Sequence, residues 1–62
     1  MTFTDRQLQL IHCIERRLTL QEAAEELGIS ESAAKQHVAA VRRKLGVAKT
    51  RQVPAAYAKV QA

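Results

Sequence analysis

Residues 19–46 read TLQEAAEELGISESAAKQHVAAVRRKLG, and this stretch decides the fold. It opens on Thr19 three residues ahead of Glu22, a capping-box pair: the hydroxyl accepts from the N3 amide while the N3 carboxylate reaches back to the N-cap amide. The helix so started, about 20–27, carries Ala23, Ala24 and Leu27. It stops at Gly28, which without a Cβ takes the left-handed conformation of a helix end. Ser30 caps the next helix, about 31–45, in which Ala34, Val38, Val41 and Leu45 recur at i, i+4, i+7 and i+11 before Gly46 ends it. Only Gly28, Ile29 and Ser30 separate the two helices. That interval is too short for antiparallel packing of long helices and fits the sharp corner of a helix-turn-helix, with Ile29 plugging the angle.

Outward from that corner, Thr4-Asp5-Arg6-Gln7 is a second capping box, and Phe3 and Leu8 stand where a hydrophobic staple needs them. The helix behind it, about 5–16, places Leu10, Ile11, Ile14 and Leu18 on one side and His12, Glu15 and Arg16 towards water. On the C-terminal side, Pro54 lacks an amide hydrogen and is best placed at N1. That predicts a short helix of about 54–61 with Val53, Tyr57 and Val60 as an apolar stripe. The expectation is an all-α chain, a four-helix bundle containing a helix-turn-helix, with residues 1–62 forming a single domain.

A chain of 62 residues buries only roughly 60% of its unfolded surface. With aromatics at 3% of the composition, Ala, Leu, Ile and Val must build the core, and extra burial by self-association is expected. The lone Cys13 makes no internal disulfide, and a structural zinc normally takes four ligands. His12 and Cys13 point about 100° apart on their helix, so neither a metal nor a nucleophile site is expected, and His37 beside the core stripe reads as a packing group. There is no phosphate-cradling Gly-rich loop and no Ser/His/Asp set, so no enzyme and no cofactor are expected. No apolar run reaches membrane-spanning length, and residues 1–5 lack the regions of a signal peptide. The chain reads as cytoplasmic, without a membrane partner.

Charge is distributed unevenly. Residues 1–30 hold three basic and five acidic side chains, whereas residues 31–62 hold seven basic and one acidic, the electrostatic footprint of a polyanion partner. Stepping 100° per residue puts Ser32, Lys35, Gln36, Ala39, Arg42 and Arg43 on the outer half of the third helix. A cluster of cations alone is an ordinary solvated face; following a tight turn and a capped helix, it is built like a recognition helix. Small side chains at Ser32, Ala39 and Ala40 let such a helix enter a major groove. There Gln36 can pair with adenine, and Arg43 or Lys35 with guanine or phosphate.

Thr4-Asp5-Arg6-Gln7, Leu27-Gly28-Ile29-Ser30, Lys35-Gln36-His37-Val38 and Lys44-Leu45-Gly46-Val47 together resemble the LuxR/GerE-type DNA-binding domain over residues 3 to about 47. The resemblance implies a transcription regulator that binds double-stranded DNA. It puts Lys35, Gln36 and Ala39 at base edges, Lys44 and Ser30 nearer phosphates, and a homodimer contact on the fourth helix through Val53, Ala56, Tyr57 and Val60. Against that family's pattern, Ala33-Ala34 replaces Thr-Val and Ala23 replaces a larger aliphatic, so an underfilled core is expected. Arg17 stands at a usual Gly, so a reshaped first corner is expected. One extra residue follows Val47. The other readings are a sigma region 4-like DNA reader and a small interaction module that binds a regulator or RNA polymerase.

Overall fold

The computed structural model describes residues 2–61. Its order is α1 (Asp5–Glu15), α2 (Leu20–Leu27), α3 (Glu31–Leu45), a 3₁₀ turn (Thr50–Gln52) and α4 (Val53–Gln61), with no strand among the described residues. The fold is therefore all-α, with the four helices and the helix-turn-helix corner that the sequence predicts.

Each predicted start is capped as its residues require. The Gln7 amide donates to Thr4 Oγ1 at 3.1 Å and the Thr4 amide to Gln7 Oε1 at 2.9 Å. Glu22 and Thr19 make the same reciprocal pair at 3.1 and 2.7 Å. At α3 the Ala33 amide donates to Ser30 Oγ at 3.0 Å, and the pair stays single because the Ala33 methyl has no acceptor to offer the Ser30 amide.

All three N-terminal helices end alike. A residue of positive φ donates to the carbonyl three back, and its successor donates to the carbonyl five back, which satisfies two otherwise orphaned acceptors. At α2 these bonds are Gly28 to Glu25 and Ile29 to Ala24; at α3, Gly46 to Arg43 and Val47 to Arg42; at α1, Arg17 to Ile14 and Leu18 to Cys13. Gly28 (φ 67) and Gly46 (φ 70) take this conformation freely, whereas Arg17 takes it at φ 63 despite its Cβ. The first corner is therefore not reshaped, contrary to expectation. Its two bonds hold Arg17 in a strained state.

The core lies in two parts joined through α1. Leu10 and Cys13 pack with Ala23, Ala24, Ala34 and Val38 under the corner, with Leu18, Leu20, Leu27 and Ile29 around them. Ile11 packs with Val41 and Val53 on the other side, flanked by Phe3, Leu8, Leu45, Val47 and Tyr57. Ile14 touches both parts. Phe3 and Leu8 thus cover the same part of the core, as the staple predicts, and Ile29 closes the corner. Arg6 Nη1 donates to the Leu27 carbonyl at 3.2 Å, fixing the start of α1 to the cation-favouring end of α2.

Val53 lies at the first position of α4 and is fully buried against Ile11 and Val41. This corrects its assignment to a dimer interface, because in the folded chain it has no surface to offer a partner. The turn before α4 is set by Gln52, whose Oε1 accepts from the amides of Ala48 at 3.2 Å and Lys49 at 3.0 Å. That side-chain cap starts the helical turn ahead of Pro54 and rotates Val53 inwards.

Candidate nucleic-acid interface

The three-residue interval Gly28–Ser30 launches α3 across the outside of the corner, and the buried Ala34, Val38 and Val41 fix its rotation. With that face inward, Ser32, Lys35, Gln36 and Arg43 are exposed on the other side, while Ala39, Ala40 and Arg42 are half-buried along its edge. Six of the predicted surface residues are thus carried by one helix face, with Ser30 exposed at its start. The Ser30 oxygen is engaged in capping, and its hydroxyl hydrogen remains able to donate.

Lys44 is placed otherwise. Its ammonium donates to the Thr2 carbonyl and to Gln7 Oε1, both at 2.8 Å, and lies 5.4 Å from the centre of the Phe3 ring. Gln7 is buried, so this cation serves as a tie between the end of α3 and the first residues of the chain. The phosphate contact expected at Lys44 therefore stands beside a role within the chain.

The segment after α3 adds cations that enter the sequence analysis only through the charge count of residues 31–62. Arg42 Nη1 donates to the Ala48 carbonyl at 3.4 Å, and Lys49, Thr50 and Arg51 are exposed. Thr50 lines one groove together with Lys35, Gln36, Ala39 and Arg42, so the 3₁₀ turn borders the polar face of α3. The signal for it was compositional: no acidic residue follows Glu31.

On α4, Ala56 and Tyr57 are half-buried, and Tyr57 meets Phe3 edge-on with ring centres 5.6 Å apart at 71°. Val60 is 45% exposed. Of the four residues expected at a dimer contact, Val60 is thus the outward one, with Ala56 beside it on the groove wall formed with Leu45 and Val47.

Cys13 is buried, and its Sγ–H faces Glu26 Oε2 at 3.6 Å, while Arg16 Nη1 donates to the same oxygen at 2.6 Å. Burial pushes the Cys13 thiol up, the Glu26 carboxylate adds to this, and Arg16 opposes it, so the thiol stays protonated. His12 Nδ1 lies 2.9 Å from Glu15 Oε1 on the exposed side of α1. No group of three or more His, Cys, Asp or Glu is gathered among the described residues, and no helix there is long and apolar enough to cross a membrane.

A family model described as bacterial regulatory helix-turn-helix protein, lysR family, matches residues 5–48. No curated protein and no solved structure matches. The matched type is not LuxR/GerE, and that resemblance is corrected. Thr4–Gln7, Leu27–Ser30 and Lys44–Val47 are caps, corners and helix ends, which any tightly turned pair of capped helices requires. They mark the architecture rather than the family. The matched span contains α1, the corner and all of α3 and stops before the 3₁₀ turn.

Proposed function

The chain belongs to the lysR family of bacterial regulatory helix-turn-helix proteins, and from that membership we propose that it reads DNA sequence by laying α3 in the major groove. It is a DNA-binding transcription regulator, of a kind normally without enzymatic activity. The observation that carries the finer reading is the outer face of α3, where Ser32, Lys35, Gln36 and Arg43 are exposed around the short Ala39. Gln36 has the donor and acceptor pair that matches adenine, and Lys35 and Arg43 have donors for guanine or phosphate. Ser30 at the helix start and Arg42 at its edge are assigned to the backbone, joined by Lys49 and Arg51. Residues 1–62 act as one DNA-binding domain of a cytoplasmic regulator.

Selection from a random duplex library at about 150 mM salt tests this, since that ionic strength suppresses purely phosphate-driven binding. The expected result is an enriched motif, with Gln36→Ala losing about 1–3 kcal/mol of discrimination at one base position. Arg51→Ala should weaken all duplexes alike and lower the salt slope by about 0.9. Failure of any motif to enrich, together with a stoichiometric protein partner, would favour the interaction-module reading and overturn this one.

Self-association through α4 is the second element of the proposal, supported by the exposure of Val60 beside Ala56 and Tyr57. An isologous pair gives a palindromic site with half-sites about 10 bp apart. An asymmetric motif is the outcome against it.

A further inference from the structure

A groove of about 480 Å³ runs between α1, the start of α2 and the edge of α3. Its floor is aliphatic: Leu10, Ile14, Leu18, Leu20, Ala23 and Val38. Its rim is polar and cationic, with Lys35 and Arg42 two helical turns apart on α3 and Gln36, Thr19 and Thr50 also in its lining. No acidic residue lines it. Two short side chains open it, Ala23 from α2 and Ala39 from α3.

Sites for small molecules commonly have about this volume, a mostly apolar lining and a few polar groups that fix orientation. A wholly apolar ligand would leave Lys35 and Arg42, whose Nη1 meets only the neutral Ala48 carbonyl, without a counter-charge in the groove. A polyanion alone would leave the aliphatic floor wet. We infer that the groove is a binding site for a small amphiphilic carboxylate, a medium-length aliphatic or aryl-aliphatic acid, whose tail lies on the half-buried Ile14, Leu18 and Leu20. Its carboxylate pairs with Lys35 and Arg42. The charge complementarity of the rim and the apolarity of the floor select this class together.

Occupation of the groove has a consequence for DNA. A carboxylate held by Lys35 and Arg42 places negative charge beside Gln36, on the face proposed to meet the duplex, so ligand and DNA exclude each other. This coupling rests on the α3 reading, whereas the site does not.

The probe is octanoate, titrated into the chain without DNA and followed by backbone amide shifts. The expected result is a saturable shift confined to Leu20, Ala23, Lys35, Ala39 and their neighbours. Octanol should bind at least about tenfold more weakly for want of the charge-assisted pairing, and the Lys35→Gln/Arg42→Gln double variant should lose octanoate affinity by a similar factor. Ala39→Leu, at a half-buried position, should close the groove and abolish the shifts. Shifts that do not saturate, spread over the whole chain, or are equal for octanol and octanoate would overturn the site. A labelled duplex then reads the coupling: octanoate should displace it at the concentrations that saturate the shifts. Saturable shifts with no duplex binding would sink the α3 reading and leave the site standing. Duplex binding with no saturable shifts would do the reverse.

Discussion

Arg17 holds a backbone conformation, φ 63, that costs a residue with a Cβ roughly 1–2 kcal/mol. It persists because Arg17 and Leu18 donate to Ile14 and Cys13 and so close α1. The exposed Arg17 should therefore be improved by Gly. Relief of strain exceeds the greater chain entropy of unfolded Gly, and Arg17→Gly is expected to stabilise the fold by about 0.5–1 kcal/mol, read as a rise in urea midpoint at unchanged slope. Glu22 supplies a second test at this scale. The Thr19 amide, and then the Thr19 hydroxyl, bond to its carboxyl and hold it below the ordinary 4.5. A lowered pKa in the folded state means that the capping contribution is complete above the ordinary glutamate range and fades as pH falls through the lowered value. The Glu22 side-chain carbon resonance should accordingly titrate with a midpoint under 4.5, and a midpoint at or above it would contradict the cap.

Among the elements, the three caps and the glycine-ended corners at Gly28 and Gly46 were legible because each is local: Thr4, Thr19 and Ser30 make their bonds within three residues. The corner at Arg17 keeps the same bonds without the glycine that signals them. The predicted α2 and α3 coincide with the observed helices, and α1 ends one residue short of the expected 16. What could not be read depended on partners far along the chain. Lys44 had the appearance of another cation on a basic helix, yet its ammonium reaches the Thr2 carbonyl, 42 positions away. No local pattern separates that choice from a phosphate contact. Removing this tie with Lys44→Ala takes two hydrogen bonds from a charged donor and a cation–π contact. The expected loss is about 1–2 kcal/mol, with faster amide exchange confined to the start of α1. In the candidate interface, the polar face of α3 was legible from its 3.6-residue period. The groove beside it was not, because Ala23 and Ala39 belong to different helices and meet only through the fold.

For the whole molecule, the radius of gyration of 10.5 Å agrees with the roughly 10.6 Å expected of a folded chain of this length, so α4 is docked on the rest rather than extended from it. Val53 is the anchor of that docking, fully buried with Ile11 and Val41, while Val60 faces outwards two turns later. The two residues should therefore separate stability from assembly. Val53→Ala removes two buried methyl groups, about 1.6 kcal/mol by transfer alone and about 2–3 kcal/mol with the cavity left behind. Against a total of roughly 3–9 kcal/mol for a chain of this size, that is a large share. The loss should be the same at every protein concentration, because the contact lies within one chain. Val60→Glu should leave dilute stability nearly unchanged, since surface substitutions alter it by roughly 0.5 kcal/mol or less. It should nevertheless abolish the proposed association in a sedimentation series, because it puts a charge beside Ala56 and Tyr57 on the face proposed to meet a second copy. If Val53→Ala instead became harmless at low concentration, the Ile11–Val41–Val53 contact would form between chains, and α4 would belong to the partner's core rather than its own.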